Sequence, residues 1–337
     1  MDLILPHSIS VFLLLLAQFH RLVGGQAVGV NYGMLGDDLP SPDEVVALCK
    51  SRNIQKLRLF NPDAAVLRAL ENSGIEVILG TLNADLVNLA NDKSFVTQWV
   101  EDNIKAYVPA VKFRYIALGN EVIPSKELAE YVLPAMQNIK TELEAANLWI
   151  PVSTCVFQTV LGPSDPPSIT KFSEEASPTM VPIVQFLEDN GYPLLFNVYP
   201  YFAYRGDPEN VGLDYALFNA SGVVLKDGAF EYQNLFDAMM DTIYWALKKA
   251  GAPNVEVVVS ESGWPSGGNE EMATIENAQT YNSNLIAHVM SGTPMKPGKG
   301  TETYLFALFN ENLKGDGTEQ HYGLFYPNMT QVYPLNF

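Results

Sequence analysis

Cysteine and histidine are scarce in this chain. Its 337 residues include two of the first and four of the second, and 20 basic residues stand against 38 acidic ones. Each shortage excludes something. Cys49 and Cys155 cannot staple a disulfide scaffold. Cys49 falls in a helical pattern and Cys155 at a strand end, which favours two buried free thiols over a bridge. A net charge of −18 repels the phosphate backbone and anionic lipid alike, so no nucleic-acid partner and no membrane anchor are expected. A neutral partner such as a sugar is permitted. Once a leader is removed, only His288 and His321 remain, and neither lies in a metal-ligand spacing such as H-E-x-x-H. No metal and no cofactor are expected. A nucleophile elbow of the G-x-S-x-G type is missing. "GTPMKPGKG" (292–300) lacks the Ser or Thr of a phosphate loop, and "GVNYGMLG" (29–36) lacks the glycine spacing of a dinucleotide fingerprint.

Long hydrophobic runs are missing too. "SISVFLLLLAQF" (8–19) is too short to span a bilayer but has the length of a signal-peptide core. Small residues at "LVGG" (22–25) suit cleavage before Gln26. Residues 1–25 are therefore read as a secretory signal peptide, and 26–337 as one catalytic domain. Losing the segment removes Asp2 and Arg21, so the mature charge stays at −18. Two sequons, at Asn219 and Asn328, fit an exported glycoprotein.

Apolar residues make up 47% of the chain, ample for a core. Eight short apolar runs recur: residues 27–33, 56–60, 76–81, 115–121, 151–155, 194–201, 255–262 and 303–310. Several are continuously apolar, as strands buried on both faces must be. Amphipathic helical patterns lie between them. One opens at Ser41-Pro42, and another, 234–251, stops at Lys248, Lys249 and Gly251. Strand–helix alternation, eight times over, predicts an α/β fold, a single (β/α)8 TIM barrel, with an open doubly wound sheet as the competing topology. The loops 161–168 and 204–212 are long enough to form a cleft wall.

In such a barrel the C-terminal strand ends share one face, where chemistry is found. The fourth strand ends "YIALGNE" with Asn120 and Glu121, and the seventh ends "VVVSESGW" with Glu261. Three places apart in a ring of eight, these ends look across the mouth at one another. Facing carboxylates hydrolyse glycosides, one as nucleophile and the other as acid and then base. The charge of one raises the pKa of the other and helps hold the roles apart. Either glutamate alone could merely cap a helix or meet an arginine. Together on one face, they favour function.

"GNEV" (119–122) and "SESGWPS" (260–266) resemble the two signatures of glycoside hydrolase family 17, the plant endo-1,3-β-glucanases. "QAVGVNYG" (26–33), "FNVYPYF" (196–202) and "FALFNENLKGDGTEQHYGLF" (306–325) extend the resemblance along the mature chain. It implies a TIM barrel, Glu261 as nucleophile and Glu121 as acid/base, and Asn120 gripping the sugar 2-hydroxyl. It also implies Glu311, Lys314 and Glu319 as flanking electrostatic support, and Tyr32, Asn197, Tyr199 and Phe202 as glycan contacts. The lysine-to-glutamate spacing in "LKGDGTE" is one residue shorter than the common family spacing. Phe60 stands where many relatives carry tyrosine. Trp264 is expected at the site, its face against a pyranose, although a tryptophan there can equally be plain packing. Gly263 is expected to let the turn leave sharply.

The implied protein is a secreted, monomeric, wall-facing hydrolase of β-glucan polysaccharide, of the kind used in plant defence. No binding module or lipid-anchor tail is expected after Phe337. Cleavage of mixed 1,3-1,4-glucan and glucan transglycosylation share the same two acids. A non-catalytic β-glucan-binding barrel is the alternative of another class.

Overall fold

The computed structural model describes residues 28–125, 127–268 and 270–337. The expected signal peptide, residues 1–25, and its expected cleavage before Gln26 lie outside the described residues. Eight parallel strands close into a barrel: β1 (Val28–Tyr32), β2 (Lys56–Leu59), β3 (Glu76–Gly80), β4 (Lys112–Asn120), β5 (Val152–Val156), β6 (Leu194–Asn197), β9 (Val257–Ser262) and β10 (Thr303–Leu305). Around the ring the order is β1-β10-β9-β6-β5-β4-β3-β2, which is the TIM barrel and excludes the open sheet. Every residue of β1, β5, β6, β9 and β10 is buried, the two-sided burial that unbroken apolar runs require. All eight expected runs are strands. Two end earlier than their apolar runs, because Pro200 opens the helix Pro200–Gly206 after β6, and the chain after Leu305 turns across the barrel mouth.

The helices follow their caps. Pro42–Ser51 begins after Ser41, whose backbone N–H donates to Glu44 at 2.9 Å. Leu235–Lys249 begins after Asn234, whose side chain accepts from Asp237 N at 2.8 Å. Cys49 and Cys155 are both free and buried. No helix among the described residues is long and apolar enough to cross a membrane.

One element departs from simple strand–helix alternation. β7 (Leu225–Asp227) and β8 (Phe230–Tyr232) form an antiparallel hairpin across Asp227-Gly228. It docks on the barrel flank. Asp227 accepts from Ser168 N at 2.7 Å and Ser168 Oγ at 2.6 Å, so this part of the 161–168 loop is drawn to the flank. Tyr232 donates from its hydroxyl to Asp241 at 2.9 Å, and the N–H of Met295 donates to the same oxygen at 2.9 Å. Asp241 thus joins hairpin, helix and the segment leading to β10.

Burial pushes the Asp241 pKa up to about 6, against an ordinary value near 3.9 in the unfolded chain. The folded state therefore holds this proton more tightly, and the group costs stability as pH rises from about 4 to 6. Asp241→Asn is expected to gain relative to the parent by on the order of 2–3 kcal/mol between pH 4 and pH 7. Chemical denaturation of both chains at the two pH values measures it, and a pH-independent difference would refute it.

Candidate active site

β4 and β9 deliver the two acids. Glu121 follows β4 directly and adopts φ +56°, a left-handed conformation costly for a non-glycine residue, after Gly119 at φ +74°. The surroundings impose that bend. Asn83 brackets the strand end, its Oδ1 accepting from Asn120 N at 2.8 Å and its Nδ2 donating to Asn120 O at 3.0 Å. The N–H of Glu121 donates to Cys155 O at 2.9 Å on β5. The strain aims a carboxylate into the open mouth. Glu261 is instead buried within β9, 6% exposed. Gly263, two residues on, is required by close approach, since a Cβ there would lie 2.3 Å from the Phe306 carbonyl oxygen. The turn needs no positive φ at that residue.

Three donors converge on Glu261. Arg58 Nη1 stands 2.5 Å from Oε1, Asn197 Nδ2 2.9 Å from the same oxygen, and Tyr199 Oη 2.7 Å from Oε2. The Asn197 amide also donates to Glu121 Oε1 at 2.7 Å. One nitrogen thus bridges both acids, and the two Oε1 atoms stand at most about 5.6 Å apart. Ser260 Oγ donates to Asn197 Oδ1 at 2.6 Å, which orients the bridging amide. Asn120 Oδ1 accepts from Arg58 Nη2 at 2.7 Å, leaving its amide NH2 for the cleft.

The Glu121 pKa is raised from its ordinary value, first by desolvation between the cleft walls and then by the charge of Glu261. The Asn197 hydrogen bond and Arg58 pull the other way. On balance Glu121 holds its proton more tightly than an ordinary glutamate does.

Two lobes of the cleft meet at the acids. One, about 350 Å³, is walled by Phe157, Tyr199, Phe202, Phe306 and Tyr322, with Glu319 at its edge. The other, about 540 Å³, is more polar and includes Tyr32, Asn120, Glu311 and Lys314. Both touch Glu121 and Glu261, so the groove passes through the acid pair. Glu311 is 2% exposed, pairs with Lys314 at 2.9 Å and accepts from Leu35 N at 2.8 Å, fixing the loop after β1. Glu319 is exposed.

The expectation for Trp264 requires correction. Its side chain is fully buried, donates to Met272 O at 2.9 Å, and packs against Tyr201 and Tyr281 with ring centroids 5.2 and 5.6 Å away. No face is left for a sugar. It supports the wall from behind. Sequence reasoning passed over Arg58, Phe157, Phe306 and Tyr322. Arg58 carried a signal in retrospect: a charge inside the apolar run "KLRLF" demands a buried partner.

A closed parallel barrel with two carboxylates bridged across its C-terminal mouth has the arrangement a glycoside hydrolase needs. The sequence model of glycosyl hydrolases family 17 matches residues 28–337, and the chain belongs to that family. It is 51% identical over 321 residues to a glucan endo-1,3-beta-glucosidase of Vitis vinifera, covering 94% of this chain and 93% of that protein. It is 49% identical over 324 residues to the acidic isoform GL161 of the Nicotiana tabacum enzyme of that name, covering 94% of this chain and 96% of the other. A solved structure of a plant β-glucan endohydrolase superposes with a TM-score of 0.89 at 49% identity, over 92% of this chain and all of that one. The β-1,3-glucanase and allergen CJP38 of Cryptomeria japonica pollen gives 0.89 at 50% identity, over 92% of this chain and 98% of the other.

Proposed function

We propose that this chain is a retaining endo-hydrolase of 1,3-β-glucan, with Glu261 as nucleophile and Glu121 as acid/base. The observation that carries the mechanism is the bridging Asn197 amide, which bounds the oxygen separation at about 5.6 Å. Retaining pairs stand about 5–5.5 Å apart, whereas inverting pairs need roughly 6.5–9.5 Å to admit water. Glu261 attacks the anomeric carbon while Glu121 gives its proton to the departing oxygen. Once Glu261 is esterified its charge is gone, and one cause of the raised Glu121 pKa goes with it. Glu121 then accepts a proton from water, and the ester opens. The linkage assignment rests on the 1,3-β-glucanase relatives. Endo action rests on a groove that continues on both sides of the acids.

Asn120, Tyr32, Asn197, Tyr199 and Phe202 serve as glycan contacts or orient the acids, with Glu311, Lys314 and Glu319 as electrostatic support. Secretion is supported by residues 1–25 and by the exposure of both sequon asparagines, Asn219 and Asn328.

NMR of the first products from laminarin is expected to show β-configured reducing ends before mutarotation. Initial α-anomers would overturn the retaining mechanism. Glu121→Ala is expected to lose about 10²–10⁴-fold in rate on glucan but far less on an aryl glucoside whose leaving group needs no proton. Equal losses on both substrates would remove Glu121 from the acid role.

A further inference from the structure

An exposed basic patch interrupts the acidity of this protein. The helix Leu235–Lys249 ends in Lys248 and Lys249, and both ammonium groups lie over the ring of Trp245, 4.6 and 5.9 Å from its centroid. Lys171, from the segment after β5, is close enough that its charge acts on Lys249. Burial first and this neighbour second lower the Lys249 pKa from its ordinary value. All three lysines are exposed. Among the described residues none of them has an ion-pair partner; Asp227, the acid whose charge reaches Lys249, is only 8% exposed and accepts from Ser168. Trp245 is half-buried, packed edge-on against Phe230 of the hairpin at 5.9 Å, and its indole N–H has no partner. Exposed Ile169 and Val224 continue the surface.

Complementing the helix dipole explains lysines in a last turn. It does not explain Lys171, which comes from another element, nor an aromatic ring beneath the ammonium groups. We propose that this patch binds an acidic polysaccharide of the polyuronate class, tethering the enzyme while its cleft works on neutral glucan. Carboxylates at successive sugars would meet the lysines that Trp245 holds in place, and the apolar faces of the rings would meet Ile169 and Val224. The helix leads into the start of β9, so the patch lies towards the face opposite the acids and leaves the mouth free. An extended anionic surface is a poorer occupant than a single thin chain. A broad lipid sheet must also approach the acidic surface around the patch, whereas a thin chain can keep to the lysines, where salt screens acids more than about 8 Å away.

The test is binding of the whole chain to polygalacturonate, to its fully methyl-esterified form, and to phosphatidylserine vesicles, with salt varied. Salt-sensitive binding to polygalacturonate alone is expected. The triple variant Lys171→Gln/Lys248→Gln/Lys249→Gln should bind about a hundredfold more weakly, each lysine near an anionic surface contributing roughly a factor of five. Its rate on soluble glucan should be unchanged. Lys50→Gln/Lys93→Gln, removing exposed lysines elsewhere, should bind as the parent does. Absence of binding, equal binding by the triple variant, equal binding to the esterified polymer, or preference for vesicles would each overturn the proposal.

Discussion

Glu261→Ala is expected to lose roughly 10⁵–10⁶-fold in kcat on 1,3-β-glucan, the scale seen when a covalent hydrolase loses its nucleophile. Three donors that now meet the carboxylate, from Arg58, Asn197 and Tyr199, would then face the vacated space. The barrel survives because Glu261 sits at the strand's C-terminal end, beyond the Val257–Val259 segment that packs inside. Azide separates this role from that of its partner. In Glu261→Ala, with an activated aryl glucoside, azide fills the space on the nucleophile's side and displaces the leaving group directly. The product is the α-glucosyl azide. In Glu121→Ala, azide instead opens the ester formed with Glu261, and two displacements give the β-glucosyl azide. Swapped products would exchange the two roles. Neither variant yielding azide adduct, together with normal glucan turnover, would remove the acid pair from the chemistry altogether.

The barrel was legible because its signal repeats. Eight apolar runs separated by capped helices leave few topologies, and continuous burial distinguishes parallel strands from an alternating sheet. The acid pair was legible for the same reason, since strand order alone sets Glu121 and Glu261 across one mouth. What sequence reasoning passed over depended on contacts between distant segments. The hairpin across Asp227-Gly228 did have a local mark, the Asp-Gly pair, yet its strands are only three residues each. Trp264 follows the strand of Glu261 by two residues, which places it near the site in sequence. The bend after Ser262 turns it inward against Tyr201 and Tyr281, a direction set by helices from elsewhere in the chain. The aromatic wall is drawn from the segments that follow three strands, β5, β6 and β10, so no window of sequence contains it. Phe60 joins this wall edge-on at Phe306, with ring centroids 6.2 Å apart. Here the ring faces the Arg58 guanidinium at 4.5 Å.

Arg58→Met is expected to lower kcat/KM by roughly 10²–10³-fold, the scale on which losing one preorganised donor at a reacting group is felt. Arg58 is 1% exposed and lies at the centre of the barrel mouth. Its Nη1 reaches Glu261 at 2.5 Å, with Asn31 Oδ1 and Ser260 O each at 3.2 Å, while Nη2 holds Asn120 at 2.7 Å. Without it Glu261 is left in a largely buried site with no counter-ion, and Glu121 loses one of the influences that lower its pKa. The basic limb of the pH–rate profile, where Glu121 gives up the proton it donates, should therefore move to higher pH in Arg58→Met. A merely structural loss would lower the rate equally at every pH. Arg58→Lys restores the charge but cannot reach Glu261 and Asn120 with one planar fork. It should bring back the position of the basic limb while recovering only part of the rate. The same profile in Arg58→Met as in the parent, at whatever height, would mean that the guanidinium does not act on the Glu121 proton.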